Sequence, residues 1–129
     1  MTKFHGLQES LDGFEKILDD FASNSSQHDP NWRRNLVDLR RDLQSGLISI
    51  RAALQLHETA GGSSDASRAL GAALSSIRSA IALHQAEWPV VAIDTEDAGY
   101  RVSVRRLRDA TTDFRETARA SVAALRQGD

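Results

Sequence analysis

The sequence contains no cysteine, which excludes a disulfide framework, a thiolate metal site and a cysteine nucleophile. Aromatic residues make up only 5% of the chain, so aliphatic side chains and alanine must fill most of any core. There are only two prolines, whereas the strong helix formers alanine, leucine, arginine, glutamine and glutamate are plentiful. These scarcities favour an all-α fold.

Long apolar runs and a large net charge are also missing. No segment approaches the roughly 18 consecutive apolar residues of a membrane span, and the first residues do not resemble a signal peptide. The formal net charge of −2 gives no overall attraction to nucleic acid or to anionic lipid. We therefore expect a cytoplasmic protein with no nucleic-acid or membrane partner.

Four segments carry apolar residues at every third or fourth position, which is the helical period. They predict helices at about 3–22, 30–59, 65–88 and 95–126. Amphipathic helices joined by short loops predict an antiparallel up-down-up-down four-helix bundle. A length of 129 residues fits a single domain of that kind, spanning 1–129.

Residues that favour turns and caps mark the predicted helix ends. Asp29 followed by Pro30 predicts the start of the second helix, with proline in the first helical position. Gly61 and Gly62 predict its end. Pro89 ends the third helix, and "PVVAI" predicts an extended connector. The candidate caps of the third and fourth helices are Ser64 or Asp65 and Asp94 or Thr95.

Stacking the four apolar stripes in this topology predicts an aromatic layer at the end of the bundle that holds the first and third loops. Its members are Phe21, Trp32, Trp88 and Tyr100. The layers below it are Leu18, Leu36, His84 and Val104, and then Phe14, Leu39, Ile81 and Leu107. Together with His84, the four aromatic residues form a candidate ligand pocket.

Arginine outnumbers lysine fourteen to two, and five arginines follow one flank of the fourth helix. They are Arg101, Arg105, Arg108, Arg115 and Arg119. The first helix carries Asp12, Glu15 and Asp19 at the same offset from its own stripe. We predict a salt-bridge seam rather than a nucleic-acid face, because phosphate binding usually needs an uncompensated positive patch. The expected partners of Glu15 and Asp19 are Arg105 and Arg108.

His84 lies on the inward stripe of the third helix, which predicts a core or half-buried histidine bonded to Tyr100 or Glu87. Phosphotransfer bundles also carry a histidine on one helix, usually exposed with a basic and a small residue nearby. Here "QAEW" follows the histidine instead. The resemblance is one of architecture, and a phosphoacceptor at His84 stays an alternative.

The remaining features do not predict catalysis or a cofactor. Ferritin-like di-iron bundles use Glu-x-x-His on two helices, but this chain has only the reverse order, once, at His84 and Glu87. His5, His28 and His57 do not converge on His84, so no metal site is expected. No glycine-rich phosphate loop follows a strand, and no serine has a base at a suitable spacing.

The outward face of the third helix is nearly free of charge, since Arg78 is its only charged residue from Ala69 to Ala86. We predict a face for a protein partner or a second copy, formed by Gly71, Ala72, Ser75, Ser79, Ala82 and Ala86. The expected function is a small non-catalytic interaction or regulatory adaptor module. The alternatives are phosphotransfer through His84 and a small-molecule sensor using the aromatic pocket.

Overall fold

The structure, a computed structural model, describes residues 2–26 and 30–128, and it describes the side chains of 6–24 and 30–127. It contains the helices α1 (Thr2–Ser26), α2 (Trp32–Gly61), α3 (Asp65–Glu87) and α4 (Ala98–Gly128). No strand occurs within the described ranges. The predicted all-α four-helix bundle is confirmed.

The core lies where the apolar stripes of all four helices meet. Its most deeply buried side chains are Leu7, Phe14, Ile50, Leu70, Ile77 and Ile81. The rings of Phe14 and Phe114 pack edge to face, with their centroids 5.4 Å apart. Each such side chain contributes about 1.5–3 kcal/mol when it leaves water, so the core accounts for most of the favourable free energy of folding.

The turn between α2 and α3 confirms the predicted boundary. Gly62 has a φ of +82°, a left-handed conformation that suits glycine, and its N–H donates to the carbonyl of Glu58. Ser64 caps α3 by accepting from the N–H of Ser67, and the Ser67 hydroxyl accepts in return from the Ser64 N–H. The Ser67 hydroxyl also lies 3.1 Å from the Glu58 carboxylate, which ties the two helices together.

Two predicted helix starts are displaced. The second helix begins at Trp32, because Pro30 and Asn31 form a turn before it, and the predicted cap Asp29 lies outside the described residues. The fourth helix begins at Ala98 rather than near 95. Asp97 caps it by accepting from the N–H groups of Gly99 and Tyr100 at 2.7 and 3.2 Å.

The predicted extended connector after Trp88 is wrong in its conformation. Residues Val90–Ala92 form one turn of 3₁₀ helix, which Pro89 precedes with a φ of −56°. Ile93 follows this turn and is buried, and Arg33 donates to its carbonyl at 2.9 Å. Burial of Ile93 and this bond hold the connector against α2.

The axial register of α1 also differs from the prediction. Phe14 contacts Phe114 rather than Leu107, a shift of seven residues or about two helical turns along α4. This shift has its origin at the end of α1. The helix continues to Ser26, and the side-chain oxygen of Asn24 accepts from the side-chain amide of Asn35 on α2. Along α2 as well, Phe14 lies against Gly46, seven residues beyond the Leu39 of the predicted layer.

The candidate ligand-binding cleft

A cleft of about 510 Å³ opens where α1 ends and where α2 and α4 begin. We call it the arginine cleft, because three arginines of α4 line it. Its lining residues are Asn24, Trp32, Leu36, Thr95, Glu96, Tyr100, Arg101, Val104, Arg105 and Arg108. Aromatic walls, polar groups at the mouth and cationic side chains therefore meet in one concave surface.

Trp32 is held in the cleft wall by its neighbours on both sides. The side-chain amide of Asn24 donates to the Trp32 carbonyl at 3.4 Å. The guanidinium of Arg33 lies over the indole ring, 4.5 Å from its centroid, while it also bonds to the Ile93 carbonyl. Contacts from α1 and from the connector thus fix the start of α2 against the cleft.

Tyr100 also lines the cleft, and the Asp97 cap places it in the first turn of α4. Its ring packs edge to face against Trp88 at 5.4 Å and lies tilted 6.0 Å from the ring of His84. Burial raises the pKa of Tyr100 above its ordinary value, and the nearby Arg40 offsets part of that rise. The phenol is therefore neutral at physiological pH and can donate or accept a hydrogen bond.

The three arginines of the cleft differ in how their charge is satisfied. Arg101 forms an ion pair with Glu96 at 2.9 Å and donates to the Thr95 carbonyl. Arg105 and Arg108 have no carboxylate partner among the described side chains. Both are exposed at the rim, so the cleft carries two positive charges that the described residues do not neutralise.

A second cavity of about 240 Å³ continues from the arginine cleft along α4. We call it the apolar groove, and it shares Val104 and Arg108 with the cleft. Its other lining residues are Leu18, Asp19, Phe21, Ala22, Leu43, Ile81, Leu107, Thr111, Thr112 and Arg115. The groove lies between α1 and α4, and a further cavity of about 250 Å³ lies between the same two helices beyond it, lined by Glu15, Phe114 and Arg119 among others.

The predicted salt-bridge seam joins α1 to the second half of α4, with different partners from those expected. Arg115 pairs with Asp19 at 2.9 Å and Arg119 pairs with Glu15 at 3.3 Å. The predicted pairing of these acids with Arg105 and Arg108 is wrong, because α1 lies two turns further along α4. This shift leaves Arg105 and Arg108 beside the cleft.

His84 lies behind the cleft wall with a side chain only 8% exposed. Its Nδ1 atom is 2.7 Å from the Ser103 hydroxyl, and this buried hydrogen bond replaces the expected bond to Tyr100 or Glu87. Glu87 is exposed. Burial, with a smaller effect from nearby Arg40, lowers the pKa of His84 to about 4. The imidazole is neutral at pH 7.

Arg40 carries a half-buried charge that the sequence prediction missed. Burial lowers the pKa of its guanidinium, and its Nη2 atom is buried with no hydrogen-bond partner in the described part of the chain. The only sequence signal is its place on α2, directly after the half-buried Leu39. An arginine one position from a core stripe is ordinarily solvated, so the pattern alone does not mark it.

The predicted pocket residues do not form one layer. Trp32 and Tyr100 line the arginine cleft, while Phe21 lines the apolar groove. Trp88 contacts Tyr100 through its ring, and His84 lies near the same tyrosine, with neither among the lining residues of the cleft. The aromatic pocket of the prediction thus corresponds to two adjoining cavities, and whether it binds a ligand stays a prediction.

The predicted partner face on α3 is exposed at five of its six positions. These are Ala72, Ser75, Ser79, Ala82 and Ala86. Gly71 is half-buried, since a Cβ atom there would lie 3.7 Å from a methyl group of Leu54. Nothing in the structure shows what covers this face, so a partner on α3 stays a prediction.

Among the described residues, no three histidine, aspartate or glutamate side chains come together as ligands for a metal ion. None of the helices, over the residues described, combines the length and the apolarity needed to cross a bilayer. Comparison with known proteins identifies no family model, no curated protein and no solved structure that this chain matches.

Proposed function

We propose that the chain is a small non-catalytic regulatory or adaptor module that binds an anionic ligand in the arginine cleft. The observation that carries this proposal is the pair Arg105 and Arg108, which lack carboxylate partners among the described side chains beside Trp32 and Tyr100. Ligand sites typically combine a concave apolar wall with a few convergent polar groups in about 300–1,000 Å³. The volume and lining of the cleft fit that description.

The two arginine charges determine which sign of charge a ligand of the cleft must carry. An anion at the rim gains charge-assisted hydrogen bonds from two guanidinium groups, each a planar donor suited to carboxylate, sulfate or phosphate oxygens. A cation would meet the same two charges without compensation, because Glu96 is already paired with Arg101. We therefore assign the cleft to a ligand with an acidic group and an apolar body.

The geometry supports ligand binding better than phosphotransfer. A phosphoacceptor histidine must reach a kinase or a small phosphodonor, whereas His84 is buried and its Nδ1 atom is bonded to Ser103. We expect acetyl phosphate to leave the protein unlabelled in acid-labile phosphohistidine assays. Labelling of the wild type that disappears in His84→Gln would contradict this expectation and restore the phosphotransfer alternative.

Fluorescence titration with anilinonaphthalene sulfonate, an anionic aromatic probe, tests the proposed function. The Trp88→Phe variant leaves Trp32 as the sole tryptophan, so quenching of its emission reports on the cleft wall directly. We expect saturable quenching with one site per chain. Replacing both cleft arginines, with Arg105→Gln and Arg108→Gln, should weaken binding by more than about tenfold, since even one charge-assisted hydrogen bond is worth about 1.5–3 kcal/mol.

The matched control is Arg78→Gln, which removes an exposed arginine from α3. Binding to this variant should equal binding to the wild type. Equal losses in Arg78→Gln and in the double variant would mean that the probe responds only to net charge. That result, or no saturable quenching at all, would contradict the proposal that the arginine cleft is a binding site.

A further inference from the structure

We infer that the ligand is a single-chain anionic amphiphile, with its acidic head at Arg105 and Arg108 and its hydrocarbon chain in the apolar groove. This inference rests on the proposed function, because it assigns a ligand class to the same cleft. The head is a carboxylate or a phosphate monoester, which offer the same acidic oxygens to a guanidinium group. The chain enters the groove past Val104.

The two cavities form one path. Val104 and Arg108 line both, so a ligand with its head in the cleft meets the opening of the groove at these residues. Arg108 therefore stands at the junction of the polar and the apolar parts. A molecule with a polar end and an apolar end matches this order better than a uniformly polar one.

The groove walls suit a hydrocarbon chain. The aliphatic side chains of Leu43, Ile81 and Leu107 face it, and the first two are buried beneath it. From Val104 to Arg115 the groove follows eleven residues of α4, or about 16 Å at the α-helical rise. That length and a volume of about 240 Å³ suit an extended chain of methylene groups.

A helix from a partner protein fits the groove less well. An α-helix with its side chains is about 10–12 Å across, which a groove of about 240 Å³ along this length does not admit. The seam pairs Arg115 with Asp19 and Arg119 with Glu15 further along α4, so a helix that docked there would have to break these ion pairs. The narrow groove favours the single chain.

The charges around both cavities select an acidic head. Four arginines and two acids line them, and Arg101 and Arg115 are paired with those acids, Glu96 and Asp19. Arg105 and Arg108 are the two that remain. The head of the ligand therefore meets two cations within one turn of α4.

Displacement of bound anilinonaphthalene sulfonate by dodecanoate, below its micelle concentration, tests the inference. Dodecanoate and dodecyl phosphate should both displace the probe, and dodecyltrimethylammonium should not. Octanoate should bind more weakly than decanoate and decanoate more weakly than dodecanoate, by about fourfold for each methylene group that leaves the groove. The melting temperature should rise with dodecanoate concentration, as linkage requires for a ligand of the folded state.

Two variants separate the head site from the chain site. Ala22→Phe places a large ring at the exposed rim of the groove and adds no tryptophan, so it should weaken dodecanoate at least tenfold and leave the sulfonate probe unaffected. The double variant Arg105→Gln and Arg108→Gln should weaken both compounds. Because Ala22 is exposed, the phenylalanine is expected to leave the fold intact, which the helical circular dichroism signal verifies.

The same measurements distinguish failure of the amphiphile inference from failure of the proposed function. If the probe binds with the predicted arginine dependence but dodecanoate fails to displace it, the amphiphile is wrong and the cleft stands. Equal displacement by dodecyltrimethylammonium, or a melting temperature that falls with dodecanoate, would indicate unspecific detergent binding and overturn the inference. If vesicles of phosphatidylglycerol displace the probe and free dodecanoate does not, the site binds a lipid surface and the inference of a free amphiphile is wrong. If neither compound binds, the proposed function fails as well.

Discussion

At the scale of single residues, the ionisable side chains of His84 and Arg40 lie near each other in a half-buried space behind the cleft wall. His84 is buried against Ser103, and Arg40 approaches from α2 with a buried nitrogen that lacks a partner among the described residues. Burial and the like charge of Arg40 both disfavour protonation of the imidazole, which lowers the pKa of His84 to about 4. These residues therefore couple folding to pH.

The free energy of unfolding should fall as the pH drops from about 6.5 to 4. In this interval the unfolded chain binds a proton at His84, with an ordinary pKa of 6.5, before the folded chain does, so protons favour the unfolded state. The contribution is on the order of 2–3 kcal/mol, present in full above pH 6.5 and lost by about pH 4. Urea unfolding of the wild type and of His84→Gln across this range measures it.

The wild-type curve should fall more steeply than that of His84→Gln between these two pH values. His57→Gln, a matched substitution on α2, should preserve the steep wild-type curve. Parallel curves for the wild type and His84→Gln would show that His84 is protonated as easily in the folded chain as in the unfolded one.

Replacing Arg40 by methionine should stabilise the fold by about 1 kcal/mol, because it removes a half-buried charge with an unsatisfied nitrogen and keeps an apolar stem. It should also raise the pKa of His84, which histidine NMR titration detects. Arg41→Met is the control, since Arg41 is exposed and pairs with Asp38. A loss of stability in Arg40→Met larger than in Arg41→Met would show that Arg40 has a partner that holds it.

At the scale of helices, two glycines in helix interiors have opposite roles. Gly46 of α2 lies where α1 packs most closely, and a Cβ atom there would come within 2.9 Å of the ring of Phe14. Gly13 of α1 is exposed, and a Cβ atom there would have no heavy atom within 4 Å. One glycine permits close packing of α1 and α2, and the other only weakens its helix.

Gly13→Ala should therefore raise the free energy of unfolding by about 0.5–1 kcal/mol, which is the helix-propensity difference. Gly46→Ala gains the same propensity but forces the buried Phe14 to move, and overpacking of this kind costs about 1–3 kcal/mol. Its net effect should be destabilising. Denaturant unfolding of both variants checks this, and stabilisation by Gly46→Ala would mean that α1 and α2 are less closely packed than described.

Helix positions and inward faces could be predicted because spacing determines the direction of each side chain around its axis. Spacing therefore predicts His84 on the inward stripe, and the structure buries it. Glycine and capping residues predict the turn at Gly62 and Ser64, which the structure contains. Spacing says little about axial offset, because every turn of a heptad-like stripe resembles the next. The offset of α1 depends on Asn24 and the length of the first turn, so the free state of Arg105 could not be predicted.

At the scale of the whole molecule, the salt-bridge seam joins α1 to the second half of α4. Arg115 and Arg119 bridge to Asp19 and Glu15 of α1, while the arginine cleft and the apolar groove follow α4 from Tyr100 to Arg115. Exposed ion pairs contribute only about 0–1 kcal/mol each. Their main effect is therefore on which turns of α1 and α4 meet.

Charge reversal tests this register. Glu15→Lys and Asp19→Lys together should destabilise the fold by about 1 kcal/mol, and adding Arg115→Glu and Arg119→Glu should restore part of that loss. Reversal of Arg105 and Arg108 instead should restore nothing, because they do not contact these acids. Rescue by the latter pair alone would place α1 two turns away from its described position.

The most direct measurement of the central claim is a ¹⁵N NMR titration of the full chain with anilinonaphthalene sulfonate, followed by dodecanoate. If the sulfonate binds in the arginine cleft, it should shift the amide signals around Trp32 and from Tyr100 to Arg108. Dodecanoate should extend the shifts to Phe21 and Thr111, while the amide signals of Ala72 and Ser75 on the exposed face of α3 stay unchanged. Shifts confined to α3, or none at saturating concentrations, would contradict the assignment of the arginine cleft as the binding site.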